Sequence, residues 1–393
     1  MSDETGTSRS PPQGQFEELT ASKHVSFLLR CLRMLPAPYT SADDQRMTLG
    51  YFALAGLDLL HATHKVPLDE ARELIDWVYD QQAPEGGFRG SPSTPFTTPA
   101  AGRVGTANVA MTYSALLVLA ILRDDYARLD RTALLSYIAA LQSEGGGFAA
   151  ELPPSGREAR EVDTDPRFAY CAVAVCAMLG DFSRINIPTA TAFLRRCQRY
   201  DGGFGASATQ EAHAGMTYCC VAALHLLSRV ERGAAWPSDQ AIAWLTHRQV
   251  NPPPTASSKQ DTQAESDDDD EANLVGGFQG RPSKLPPDVC YSFWNGAALS
   301  LLSAHELVDA PADAGYVLSA QSRVGGVSKI PGDHPDLLHT YLGLASLSLH
   351  QHGQGDHAEE NRLDFGLAPL DAALNCTLTA KQWIDTHLKR NKA

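Results

Sequence analysis

Five times along this chain a glutamine is followed, a few residues later, by a glycine pair and then a bulky apolar residue: Gln82 with Gly86-Gly87-Phe88, Gln142 with Gly146-Gly147-Phe148, Gln198 with Gly202-Gly203-Phe204, Gln249 with Gly276-Gly277-Phe278, and Gln321 with Gly325-Gly326-Val327. Successive glycine pairs lie 60, 56, 74 and 49 residues apart. Such a period marks a repeat in which each unit must bury its apolar face against its neighbours. Between the marks apolar residues recur at helical spacing, as from Arg167 to Leu179, and strand-like alternation is scarce. One helix ends near each glutamine (Leu135 to Gln142, Thr191 to Gln198, Ile242 to Gln249), and glycine permits the turn that follows. A second helix comes next, apolar on nearly all sides and therefore expected to be buried. Six such inner helices are expected, at roughly 43–62, 107–122, 166–179, 214–229, 288–304 and 335–350. Helical hairpins either stack into an open solenoid or close on themselves. The small inner residues favour closure, so the expected fold is all-α: an α/α toroid of six inner and six outer helices, its mouth ringed by the post-glycine turns.

The longest interval contains the run 251–275, rich in Pro, Ser and Asp and including Asp267 to Asp270. It is too charged to pack and is expected to be a disordered insert. Residues 1–20 are expected to be a disordered tail, leaving 21–393 as one barrel. A hydrophobic content of 43% supports a sizeable core, and a net charge of −14 argues against a general nucleic-acid binder, which needs a basic face. The eight cysteines sit mostly in apolar helical runs with no CxxC pair, as in a reduced, cytoplasmic protein. No apolar stretch is long enough for a membrane span, and none near the start resembles a signal peptide.

Chemistry concentrates between Gly276 and Trp294, where Arg281, Lys284, Asp288, Cys290 and Tyr291 fall within nineteen residues. His339 lies 12 residues past Val327, just as Cys290 lies 12 past Phe278. Equal register in neighbouring repeats brings the two side chains together. With Asp288 they form an oxygen, sulfur and nitrogen set, three ligands with a fourth position open, as at catalytic zinc sites. Residues two apart on a helix point to different sides, but Pro286 and Pro287 place Asp288 at the helix start, where both can converge. The purely structural alternative makes Asp288 a cap, Cys290 a core thiol and His339 a satisfied polar residue. Arg281, Lys284, Tyr291 and His213 could gather at one rim and suit a diphosphate, although loop cations are often merely solvated. Trp294, Tyr170, Tyr218, Tyr113 and Phe52 could line a bore for an apolar ligand, although aromatics at helical spacing are more often core.

The segments Phe52-Ala-Leu-Ala-Gly-Leu-Asp58, Ala110-Met-Thr-Tyr113, Gly277-Phe-Gln-Gly-Arg-Pro282, Asp288-Val-Cys-Tyr-Ser-Phe-Trp294 and His334-Pro-Asp-Leu-Leu-His339 resemble those of the protein prenyltransferase β subunits, most of all the type I geranylgeranyltransferase. That resemblance covers the chain from about Lys23 onward and implies the same toroid. It also implies one zinc ion held by Asp288, Cys290 and His339, with the isoprenoid diphosphate met by His213, Arg281, Lys284, Tyr291 and Arg167. Lys329 would replace the charge of magnesium, so no magnesium requirement is implied. Thr48 and Leu342 would leave room for a geranylgeranyl chain where the farnesyl enzyme has a bulky tryptophan in place of Thr48. Leu338 and Phe52 resemble the pocket for the last CaaX residue, and Asn108 stands where the family has a histidine. One more residue than in the family separates Lys284 from Asp288. The implied partners are an obligate α subunit, geranylgeranyl diphosphate and CaaX proteins such as Rho-, Rac- and Rap-like small GTPases, usually ending in leucine. Type I activity is the expectation. A farnesyl or Rab-type β subunit is the near alternative; a terpene cyclase, whose acidic motif could only be Asp267 to Asp270, or a non-catalytic lipid-binding toroid is the remote one.

Overall fold

In the computed structural model, which describes residues 17–94, 107–152, 160–231, 236, 238–250, 275–353 and 363–389, the chain is a closed ring of helical hairpins. The inner helices are α2 (Arg46–Leu59), α4 (Val109–Ile121), α6 (Pro166–Leu179), α8 (Ala214–Ser228), α10 (Val289–Leu301) and α12 (Leu337–His352). Each packs on the next and α12 packs back on α2, so the barrel closes. The outer helices are α3 (Leu68–Tyr79), α5 (Arg131–Ala140), α7 (Ile187–Arg196), α9 (Asp239–Thr246), α11 (Ala310–Ser319) and, from the N-terminal end, α1 (Ala21–Arg33). The toroid expected from the repeat is therefore present, with inner-helix limits within a few residues of those read from periodicity. Residues 1–16 of the expected tail, and all of the expected insert but Val275, lie outside the described residues.

The punctuating residues explain the closure. Outer helices stop about two residues before the glutamine because the backbone there bridges to the apolar residue after the glycines, as Gln142 does with Phe148 and Gln321 with Val327. In three of the repeats the glutamine side chain then grips the cap of the next outer helix. Gln142 Nε2 donates to Asn186 O at 3.0 Å while Asn186 N–H donates back at 2.8 Å. Gln249 and Asp309 repeat this pair at 2.9 and 3.0 Å. Gln321 accepts from the backbone of Thr20 at 2.9 Å and lies 2.9 Å from His24 Nε2, so α1 fills the place of the sixth outer helix. Gly146 has φ +89°, and a Cβ there would lie 2.0 Å from the backbone oxygen of Thr189 in α7; at Gly325, also φ +89°, it would lie 2.1 Å from Lys23 O in α1. Only glycine allows both the turn and the approach.

A short helix α13 (Leu378–Trp383) follows a two-stranded hairpin, β3 (Leu370–Asp371) and β4 (Cys376–Thr377), whose register pairs Leu370 with Thr377. A smaller pair, β1 (Val327–Ser328) and β2 (Pro335–Asp336), leads into α12. All eight cysteines are buried, and none is in a disulfide. No helix among the described residues is long and apolar enough to cross a membrane.

Candidate active site at the mouth of the toroid

Five inner helices begin at the mouth with a side-chain cap: Asn108 for α4, Asp165 for α6, His213 for α8, Asp288 for α10 and Asp336 for α12. A cap satisfies a helix-end N–H, and the aligned peptide dipoles make the same end attractive to anions. Asp288, expected at a helix start from the two prolines before it, is thus the cap of α10, and His213 holds the same position on α8.

Asp288 is extended at φ −136°, as a helix cap is, and its Oδ1 accepts the Cys290 N–H at 2.9 Å. Its carboxylate, the Cys290 sulfur and a ring nitrogen of His339 lie within 4.8 Å of one another. His339 Nε2 is 3.1 Å from Asp288 Oδ1, and its Nδ1 is 2.5 Å from Asp336 Oδ2. Burial alone would lower the His339 pKa, but the two carboxylates outweigh it and raise the group to about 9. Burial works against the ionised Asp288 as well, yet His339 and the Cys290 N–H hold its carboxyl below the usual range. The Cys290 thiol is pushed well up by burial and by Asp288. These donors fit zinc. The set combines oxygen, sulfur and nitrogen, and Asp336 fixes the imidazole so that Nε2 faces the other two, the orientation imposed by the carboxylate partners of metal-bound histidines. Lys329 closes the group, its Nζ 3.8 Å from Asp288 Oδ2 and its carbonyl accepting the Val289 N–H at 2.9 Å.

The anion rim adjoins it. His213 Nδ1 accepts the Gly215 N–H at 3.1 Å, which leaves the proton on Nε2, 3.1 Å from the Tyr291 hydroxyl. His213 therefore donates to Tyr291, whose own proton is free for another acceptor. Burial lowers the His213 pKa, and Arg281, Lys284 and Arg167 lower it further, so all three cations bear on this one ring. Arg281 Nη1 is 3.2 Å from Glu211 Oε2, while its buried Nε–H has no partner. Arg167 makes a two-point contact with Asp165 at 2.9 Å for each nitrogen, and Lys284 is exposed. Burial, with Cys290 and Asp288 nearby, pushes the Tyr291 phenol up and keeps it a neutral donor.

Below the rim opens a cavity of about 380 Å³, lined by Thr48, Phe52, Tyr170, Trp294 and Asn375 among others, and reaching Arg167 and His213 at its top. Thr48 Oγ1 lies 3.1 Å from Ser114 Oγ and 3.3 Å from Met111 Sδ. Four expected residues stand apart from this lining. Tyr218 is fully buried outside it. Leu342 is fully buried in the core, Leu338 is half-buried against it, and Asn108 caps α4, its amide 3.5 Å from Glu151. Sequence reasoning also passed over four residues. Asp336, Asp165 and Glu211 orient His339, Arg167 and Arg281, and Asn375 forms part of the cavity wall. The first two carried a signal, an acidic residue at the start of an apolar helical run; Glu211 and Asn375 carried none.

The prenyltransferase alpha-alpha toroid domain matches residues 19–376, and the chain belongs to that family. The geranylgeranyl transferase type-1 subunit beta of Arabidopsis thaliana is 33% identical over 393 residues, covering 95% of this chain and 92% of that one. The Candida albicans protein geranylgeranyltransferase-I complexed with GGPP superposes with a TM-score of 0.78 at 26% identity, over 95% of this chain and 100% of the other. The type II terpene cyclase MstE from Scytonema shares the fold alone, with a TM-score of 0.53 at 16% identity over 83% of this chain and 96% of the other. The chain is thus a prenyltransferase β subunit of the kind most like geranylgeranyltransferase type I.

Proposed function

We propose that this chain is the catalytic subunit of a zinc-dependent, cytoplasmic protein geranylgeranyltransferase. It transfers the isoprenoid from geranylgeranyl diphosphate to the cysteine thiol of C-terminal CaaX sequences, usually ending in leucine, such as those of Rho-, Rac- and Rap-like small GTPases, and works as a heterodimer with an α subunit. One observation carries the reading: a three-ligand set of Asp288, Cys290 and His339 stands beside a rim of Arg281, Lys284, Arg167, His213 and Tyr291 at the top of an apolar cavity.

Zinc bound by those three residues would lower the pKa of the incoming substrate thiol so that it reacts as a thiolate at neutral pH. The chain's own groups do the rest. The aromatic bore takes the isoprenoid tail and fixes where its first carbon lies, which converts an encounter into a positioned attack. As the carbon–oxygen bond loosens, charge grows on the diphosphate. Tyr291, held by the His213 Nε2–H, donates a neutral hydrogen bond to it, and Arg281, freed from Glu211, offers its unpaired Nε–H. Lys284, Lys329 and Arg167 add positive charge at the same rim, without magnesium. Leu338 and Phe52 would meet the last CaaX residue, with Asn108 nearby at the mouth. A terpene cyclase would need an acid in the bore, and Asp267 to Asp270 lie outside the described residues; the thiol-activating set has no role in that chemistry.

Co-expression with an α subunit, metal analysis of the purified heterodimer, and transfer assays with farnesyl and geranylgeranyl diphosphate on peptides ending in Leu or Ser test this reading. Stoichiometric zinc and preferential geranylgeranylation of the Leu peptide are expected. A metal-free heterodimer of full activity, or exclusive farnesylation of the Ser peptide, would overturn it.

A further inference from the structure

A second cavity, of about 1100 Å³, lies at the end of the barrel away from the mouth. The inner helices α6 and α8 carry their caps, Asp165 and His213, at the mouth, and it is their opposite ends, at Gly180 and Arg229, that wall this cavity. The first turns of α5 and α7 and the C-terminal segment complete it. The lining is divided in character. Part is apolar, and around that part stand five cations, Arg131, Arg184, Arg229, Lys381 and Lys389, against a single lining carboxylate, Asp181. On a chain of net charge −14 this is a local reversal of sign. Three of the cations are engaged within the fold. Arg131 donates to the carbonyls of Leu179 and Leu388, the latter at 2.7 Å, and both lysines pair with Asp385, Lys381 at 2.6 Å. Arg184 and Arg229 are exposed at the edge of the cavity, and neither has a hydrogen bond or an ion pair among the described residues. Arg229 follows α8 and offsets the dipole of that helix end. Arg184 has no such account: it precedes the Asn186 cap of α7 by two residues, at the positive end of the helix, where an anion rather than a cation is favoured.

We propose that this cavity is a second ligand site, for a single-chain lipid phosphate. The phosphate is met by Arg184 and Arg229, and the chain lies against Leu135, Ile187, Leu226 and Leu374. Two guanidiniums suit a phosphate because each can take an edge of two oxygens. The bound anion then answers both unpaired cations and the positive end of α7. A free phosphate would leave the apolar lining unused, and an uncharged lipid would leave the guanidiniums unanswered, so the two halves of the lining together select a molecule that has both. The volume slightly exceeds the usual range of ligand cavities, about 300–1,000 Å³, which suits one acyl or prenyl chain. The site shares no lining residue with the cavity at the mouth, and it stands whichever group is transferred there.

The test titrates the purified heterodimer by calorimetry with three probes: lauroyl lysophosphatidic acid below its micelle concentration, monolaurin, which is the same molecule without the phosphate, and inorganic phosphate. The lipid phosphate should bind at least about tenfold more tightly than either of the others, since each of those makes only half of the contacts. Arg184→Glu combined with Arg229→Glu should weaken it at least about tenfold again. The thermal midpoint and the rate of transfer without lipid should match the parent, because both side chains are exposed and unpaired. Binding that survives the charge reversal lies elsewhere, the cavity at the mouth included, and overturns the site. Equal affinity for inorganic phosphate would make it an anion patch and overturn the lipid. Binding to phosphatidylcholine vesicles containing phosphatidic acid, with none to the monomeric probe, would make this face a membrane contact and overturn a ligand held in the cavity.

Discussion

Two clusters built from aspartate and histidine lie less than a turn apart along α10 and have opposite fates. At the mouth, Asp288, Cys290 and His339 gather three lone-pair ligands that face one another. In the wall, Asp313 of α11 accepts from Ser292 Oγ at 2.6 Å and Ser346 Oγ at 3.1 Å and lies 2.7 Å from His350 Nε2, with all four residues fully buried. His305 lies against His350 with the rings tilted by 43° and their centres 5.3 Å apart. Ser292 follows Cys290 by two positions, so one helix serves both clusters from different sides. In the wall, donors surround one carboxylate, and the ring nitrogens left over, His350 Nδ1 and His305 Nε2, are buried apart from any cavity. At the mouth, acceptors converge and a cation is what would complete them. Residue type alone does not separate a site from a strut; the ratio of donors to acceptors does, together with access to a cavity.

The sharpest way to break that contrast is Cys290→Ala. Loss of one of three protein ligands should strip zinc and lower peptide transfer by more than about a thousandfold, while diphosphate binding, which rests on the separate rim, changes by less than about threefold. Metal content and isoprenoid diphosphate titration read the two apart. Equal loss of both would show that the mouth is one indivisible unit.

Asp313→Ala should do the reverse. It leaves His350 and two hydroxyls without their shared acceptor in a dry wall, a change that costs about 3–5 kcal/mol of stability. Urea unfolding should show the loss, and the surviving folded heterodimer should keep its zinc and its kcat within about twofold, since no atom of the wall cluster reaches the cavity. Zinc loss matching that of Cys290→Ala would mean the wall serves the site after all.

The two clusters were not equally legible in the sequence. His339 and Cys290 were placed together by an equal 12-residue offset from Val327 and Phe278, and Asp288 by two prolines that forbid it a mid-helix position. Both arguments are local plus one repeat, and both held. The glutamines announced the hairpins, yet their grip on Asn186, Asp309 and Thr20 could not be read off, because the third partner lies 301 residues away. The wall cluster gave no sign, since Ser292, Asp313 and His350 each look like an ordinary polar residue in an apolar helix until the helices pack. Leu342, taken for the bore by resemblance, shows the converse: a residue three beyond His339 on α12 is in the core, outside the cavity lining.

The smallest predicted effect, and the one that sets the clusters against each other most directly, is in pH. In the metal-free protein His339 has a pKa raised from 6.5 to about 9. The folded state therefore holds a proton that the unfolded chain gives up in that window, and the stability it contributes is full below 6.5 and lost as pH rises through about 9. The total is about 3 kcal/mol. His305 runs the other way. Burial, with His350 alongside, pushes it down from 6.5 to about 3. Its unfolded form takes up a proton that the folded form refuses, so stability is full above 6.5 and falls on acidification, by about 1 kcal/mol for each pH unit below that value. Urea midpoints measured with chelator across both windows should give a maximum near neutrality. Added zinc should then flatten only the alkaline limb, because the metal requires the neutral His339 that alkaline pH supplies, while the acid limb from His305 stays. An alkaline limb indifferent to zinc would separate His339 from the metal site; an acid limb missing in His305→Ala as well as in the parent would remove His305 from the account.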